Sequence, residues 1–218
     1  MQYFFISILI LLFSFSTVSG SNRRTKIEIS PHAGRVYSLS FDDVIKQMSI
    51  LAKTAESEDV WIYVDTKQKL YDIGYDGDGA TSNFSYGLFD DDHSILRESN
   101  AVGIHNHPLS HRDKFIYPPS FNDLWQLASC KYQFRKLFNA NFRAMVFDGI
   151  GIWEYDMIPE TVAIFHDKTE REKIQKKLRY LRYIIHLAAP DAKTRSEAIP
   201  KYIRAIGSLG IVETYKDN

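Results

Sequence analysis

Gly103-Ile104-His105-Asn106-His107-Pro108, followed after a loop-like stretch by Pro119-Ser120-Phe121-Asn122-Asp123, is the segment around which the chain is organised. Alternate residues of an extended backbone point to the same side, so a strand over 101–107 running into a loop presents His105 and His107 to one face. Pro118-Pro119 cannot extend a helix from before, and Ser120 is a good N-cap for a helix beginning at Phe121. Asp123 then falls in the first turn, with its carboxylate near the positive helix end. Two neutral imidazoles and one carboxylate leave a fourth tetrahedral position for water, the open coordination of catalytic zinc. The pattern therefore predicts His105, His107 and Asp123 as metal ligands, Zn2+ as cofactor, and hydrolysis as the chemistry.

Working outward, Val60-Trp61-Ile62-Tyr63-Val64 and Lys69-Leu70-Tyr71-Asp72-Ile73 read as two strands joined by the polar Asp65-Thr66-Lys67-Gln68. Ser40-Phe41-Asp42-Asp43 reads as a helix start, and Phe41, Val44, Ile45, Met48, Leu51 and Ala52 fall at helical spacing behind it. Lys26-Ile27-Glu28-Ile29 alternates as a short edge strand would. On the other side of the motif a helix is expected over 121–138. A hairpin over 143–147 and 151–155, turned at Asp148-Gly149, follows it. Residues 170–187 carry Ile174, Leu178, Leu181, Ile184 and Ile185 at helical spacing, and Pro190 ends them. The last stretch, 200–215, reads as a short helix and a strand. The expected architecture is α/β: one mixed central β-sheet flanked by helices over residues 21–158, with the site at its rim, and a helical C-terminal extension over 159–218.

The chain has 218 residues, 44% hydrophobic and 14% aromatic, the composition of a folded globular protein. Lys plus Arg and Asp plus Glu both number 27, so no net charge draws the chain to nucleic acid. A single cysteine, Cys130, excludes an intrachain disulfide and a Cys-rich zinc knuckle, and its surroundings read as helix interior. Residues 3–18 are an almost unbroken apolar run that ends in Val18-Ser19-Gly20, small residues suited to signal peptidase. This predicts a signal peptide over 1–20 and a secreted or periplasmic protein. The alternative is a membrane anchor, since Arg23, Arg24 and Lys26 follow the run and none of the charged residues precedes it. Asp76-Gly77-Asp78-Gly79 lies in the loop-rich stretch 74–92 and is read as turn chemistry, because an EF-hand's ligand positions are not matched. Asn83-Phe84-Ser85 is a glycosylation sequon.

A hydrolytic zinc site also needs a group that accepts the proton of water and passes it to the leaving amine, and a nearby carboxylate serves. Glu58, ahead of the Val60 strand, and Glu56 are the candidates. The residues His105-Asn106-His107-Pro108 and Pro119-Ser120-Phe121-Asn122-Asp123 resemble the signature of the JAMM (MPN+) metalloprotease superfamily, an upstream Glu, then His-x-His, then Ser-x-x-Asp. The resemblance is greatest to the RadC-like JAB branch. It extends to the Glu-led strand from Glu58 to Leu70 and covers about residues 56–155. It implies a JAB/MPN-like sheet of cytidine-deaminase-like architecture, with His105, His107 and Asp123 on zinc. Glu58 would be the general acid/base, and Ser120 would steady the tetrahedral intermediate. The implied activity is that of a metallopeptidase or isopeptidase acting on a peptide or an isopeptide-linked protein. The chain departs from the family between His107 and Ser120, where the spacing is longer by an insertion within 109–117 that carries His111 and Asp113. Two rival functions remain in view: a JAB-like binding or adaptor domain without catalysis, and a RadC-like nucleic-acid role, disfavoured by the charge balance. If the apolar leader is a signal peptide, mass spectrometry of the exported protein will find a mature N-terminus at Ser21; an intact N-terminus in the membrane fraction would establish the anchor instead.

Overall fold

A computed structural model describes residue 27 and residues 35–72, 74–76, 82–84, 100–107, 118–138, 141–188 and 192–217. The α/β fold is built on a seven-stranded mixed sheet with the order β1-β3-β2-β6-β7-β8-β9. Its strands are β1 (Val36–Ser38), β2 (Val60–Val64), β3 (Lys69–Asp72), β6 (Asn100–Asn106), β7 (Asn141–Phe147), β8 (Gly151–Met157) and β9 (Ile211–Asp217). Every neighbouring pair is antiparallel except β6 and β7. That parallel pair requires a crossover, supplied by α2 (Phe121–Phe138).

Alternation along the strands divides the side chains between two cores. Trp61, Tyr63, Val102, Ile104, Met145 and Phe147 pack with Val44 and Met48 of α1 (Phe41–Leu51) on one face. Ile62, Val64, Ala101, Ala144, Val146 and Tyr155 pack with Leu124, Leu127 and Phe134 of α2 on the other. α1 starts as its sequence indicates: the Ser40 hydroxyl oxygen accepts from the Asp43 amide at 3.2 Å. The β2–β3 connection is a 3-10 turn, Asp65–Lys67, closed by Gln68 in the left-handed region at φ 48°. The β7–β8 turn is organised by the buried Asp148, whose Oδ1 accepts from the Ile150 and Gly151 amides at 3.0 and 2.7 Å. Its Oδ2 accepts from Trp153 Nε1 at 3.2 Å. Both strands of this hairpin extend two residues beyond the expected bounds, because the outer residues of β7 pair with β6 and those of β8 with β9.

The segment expected as a helical extension is helical only in part. It folds into α3 (Pro159–His166), α4 (Lys168–Ala188) and α5 (Ala192–Gly207), then returns to the sheet as β9. The backbone leaves helical geometry at Asp167, φ −83° and ψ 121°, which separates α3 from α4. Ile174, Leu178, Ile185, Ile199, Tyr202 and Ile206 join the same core as α2, so the segment is a structural part of the sheet domain. β9 pairs with β8 over its whole length because Ile211, Glu213 and Tyr215 alternate inward beside the open backbone of that strand. Within the stretch expected as loop, β4 (Gly74–Asp76) and β5 (Ser82–Phe84) pair as a small separate sheet. Of the expected strand 26–29 only Ile27 is described; it is buried, and its amide donates to Gln47 Oε1 at 2.8 Å. The leader, the acidic glycine repeat beyond Asp76, and His111 and Asp113 lie outside the described residues. No helix among the described residues is long and apolar enough to cross a membrane.

One buried acid sits awkwardly in this frame. Asp72 on β3 is fully buried, and neither carboxylate oxygen has a hydrogen-bond partner among the described residues. Burial, reinforced by the Asp59 charge and only partly offset by Arg35, raises its pKa to about 8. A folded carboxyl that keeps its proton where the unfolded chain has lost it makes stability fall as pH rises, here between about 4 and about 8. Asp72→Asn, which cannot ionise, should therefore gain on the wild type across that window, reaching on the order of 5 kcal/mol by pH 8. Denaturant unfolding at pH 4, 6 and 8 measures this; a difference independent of pH would show that Asp72 ionises normally.

Candidate metal centre

His105 is the penultimate residue of β6, and His107 follows the strand's last residue, Asn106. The ladder holds both backbones: His105 pairs with Val60 on one side and Val146 on the other, and the His107 amide donates to the Phe147 carbonyl at 2.9 Å. Alternation turns both imidazoles toward the α2 face, with ring centroids 5.2 Å apart. Asp123 arrives from the first turn of α2. Ser120 fixes it from both ends: its amide donates to Asp123 Oδ2, and its hydroxyl oxygen accepts from the Asp123 amide at 3.1 Å. Oδ1 is thereby left facing His105.

One donor atom from each of His105, His107 and Asp123 lies within 4.8 Å of the others. His105 Nε2 and Asp123 Oδ1 are 3.6 Å apart, too far for a hydrogen bond. Two atoms bound to one tetrahedral zinc at ordinary bond lengths lie about 3.4 Å apart, so the observed spacing fits a shared cation better than a direct contact. His105 Nε2 is buried and has no hydrogen-bond partner among the described residues, an arrangement that is costly without a ligand. The electrostatics agree. Burial lowers the pKa of His105 against the opposing pull of Asp123, keeping the imidazole neutral and its lone pair available. Burial works against ionisation of Asp123, but His105, His107 and the hydrogen bonds from Ser120 outweigh it and hold the carboxyl below its ordinary range. His105 and Asp123 are thus deprotonated at neutral pH, as a metal requires.

Beneath the donors the sheet is hollowed. Gly103, Ala144 and Tyr155 form one row across β6, β7 and β8, and the two small residues leave a cavity of about 40 Å3 bordered by His105, Asp123, Cys130 and Tyr155. A space of that size holds one or two waters. A Cβ at Gly103 would lie 2.7 Å from the Phe142 ring, so any side chain there would have to displace that ring. Tyr155 is buried, and burial first, then the charges of Asp123, Glu213, Cys130 and Glu58, pushes its pKa well above 10. Its hydroxyl therefore stays protonated at the floor of the site.

Glu58 stands just ahead of β2 and is half-buried, whereas Glu56 is exposed. Glu58 lies two residues before Val60, whose side chain packs on the α2 face, and its charge is felt by Tyr155 at the floor of the site. It lies outside the three-donor cluster. Asn106 secures its backbone: the Asn106 side-chain oxygen accepts from the Asp59 amide at 3.0 Å, and its nitrogen donates to the Ser57 carbonyl at 2.7 Å. Asn106 and Tyr155 were not singled out by sequence reasoning. Asn106 was legible in principle, since a residue between two same-face histidines must point to the opposite face; Tyr155 depends on cross-strand register, which carries no local signal. Cys130 is buried, as its helical setting indicates.

No family model, no curated protein and no solved structure matches this chain. The centre described above therefore rests on its own geometry. Purified full-length protein should hold about one zinc per chain after removal of loose metal, and His105→Ala or Asp123→Asn should lose it. Elemental analysis of folded variants decides the matter: equal zinc in wild type and variants would refute the centre.

Proposed function

We propose that the chain is a zinc-dependent amide hydrolase, a metallopeptidase or isopeptidase of the JAMM kind. The observation that carries this reading is the convergence of His105, His107 and Asp123, with a buried imidazole nitrogen and a carboxylate oxygen at 3.6 Å and no hydrogen bond between them. Three protein donors of this type leave a coordination position for water or substrate. Bound zinc supplies a Lewis acid that polarises a carbonyl and lowers the pKa of water to near 7.

The chain's own residues supply the rest. Glu58, half-buried just ahead of β2, takes the proton from the attacking water on its carboxylate and returns it to the leaving nitrogen. Ser120 sets the Asp123 carboxylate through its amide and hydroxyl, and its place at the start of α2 suits it to donate toward an oxyanion. Asn106 acts as a positioning residue that holds Ser57 and Asp59, and so Glu58, against the ligand strand. The apolar leader supports export, which would place the substrate outside the cytoplasm or in a periplasm.

Glu58→Gln should retain zinc and cut amide hydrolysis by at least about 100-fold, the scale of a lost general base. Asn106→Ala should also retain zinc and lower kcat more than it raises KM. A panel of peptides and lysine-linked isopeptides, assayed with and without chelator, provides the measurement. Chelator-resistant cleavage would refute the mechanism. Full zinc occupancy with no cleavage would favour a binding domain, and full activity in Glu58→Gln would pass the base's role to another residue.

A further inference from the structure

A cleft of about 560 Å3 opens where the start of α2 faces α4, lined by Ser120, Phe121 and Asn122 on one side and by Gln175, Leu178, Arg179, Arg182 and Tyr183 on the other. Two of its lining residues are Ser120, which hydrogen-bonds Asp123, and Asn122, which precedes it in sequence, so the cleft lies next to the metal centre. Its lining contains two arginines and no acidic residue. Arg179 is exposed and forms no ion pair among the described residues. Arg182 is half-buried, and its Nε has no hydrogen-bond partner among the described residues. Behind it stands Glu213, whose burial raises its pKa well above the ordinary carboxyl range although Arg182 works in the other direction. The start of α2 adds the positive end of an 18-residue helix.

We propose that this cleft is the subsite that selects substrate for the hydrolase described above, and that it takes a carboxylate, held by Arg179 and Arg182, within a few residues of the scissile amide. A planar guanidinium matches a carboxylate in two-point contact, and two of them in a cleft without acids disfavour a basic segment there. The volume takes two or three residues of extended peptide, at roughly 3.3 Å per residue. Phe121 and Leu178 supply apolar wall for the intervening chain. The carboxylate could belong to an acidic side chain or to a chain terminus; both offer the same two oxygens.

The proposal rests on the hydrolase reading for its role but not for its measurement. The zinc-loaded full chain carrying Glu58→Gln is titrated calorimetrically with three acetylated pentapeptides. One has Glu at its centre and an amidated terminus, one has Gln in that place, and one is all glycine with a free carboxyl terminus. The Glu peptide or the free-terminus peptide should bind at least about tenfold more tightly than the Gln peptide, the scale of one charge-assisted contact. Whichever of the two binds identifies the source of the carboxylate. Arg179→Glu, at an exposed position, should erase that preference with zinc content unchanged. Arg182→Lys, which keeps the charge but loses the planar fork, should weaken it. Equal affinity for all three peptides, no measurable binding of any, or a preference that survives Arg179→Glu overturns the subsite. Charge-selective binding without hydrolysis by the wild type would sink the peptidase reading alone; hydrolysis without charge selection would sink the subsite alone.

Discussion

Two neighbouring strands that run the same way cannot be joined by a tight turn, and the rest of this structure depends on that constraint. β6 and β7 are the one parallel pair in the seven-stranded sheet, so the chain must leave the end of β6, cross a face and return beside its start. The crossover brings the carboxyl end of β6 and the amino end of α2 to one rim, which is where open α/β sheets commonly place ligands. His105 and His107 come from the strand end and Asp123 from the helix start. The donors meet because of topology, although sequence separates them.

The sheet's period of two then assigns opposite duties to three consecutive residues. His105 and His107 face α2 and the donor cluster, while Asn106 faces the other way and holds the backbone of Ser57 and Asp59. Small residues do comparable work one row inward, where Gly103 and Ala144 open the floor and Tyr155 closes it. The helices of the later chain contribute to the same region. α4 faces the start of α2 with two arginines, and β9 places Glu213 beside Tyr155 in register.

Much of this was legible in the residues. The His-x-His alternation, the Ser120 cap, the capped helix at Phe41 and the Asp148-Gly149 hairpin all follow from local rules of period, capping and turn chemistry. The donor set followed as well, because it requires only that a strand end where its pattern ends and a helix begin at its cap. What was not legible depends on partners distant in sequence. A strand was expected within 200–215, but its place in the sheet was not, because only the open edge of β8 decides where it goes. The row that joins Gly103, Ala144, Tyr155 and Glu213 exists in register alone. The meeting of Arg179 and Arg182 with the start of α2 likewise exists only in the folded chain. The preference for Glu58 over Glu56 came from resemblance; in the fold Glu58 is half-buried and Glu56 exposed.

Asn106 also couples the two halves of the rim. Because it sits on the ligand strand and grips the residues on either side of Glu58, any sliding of β2 along β6 must break both of its bonds and, at the first discrete step, move the side chains of β2 to the opposite faces of the sheet. Intermediate displacements are not available to a pleated ladder. The segment that carries Glu58 is thus phase-locked to the ligand strand: in step, both Asn106 bonds form; out of step, both are lost together.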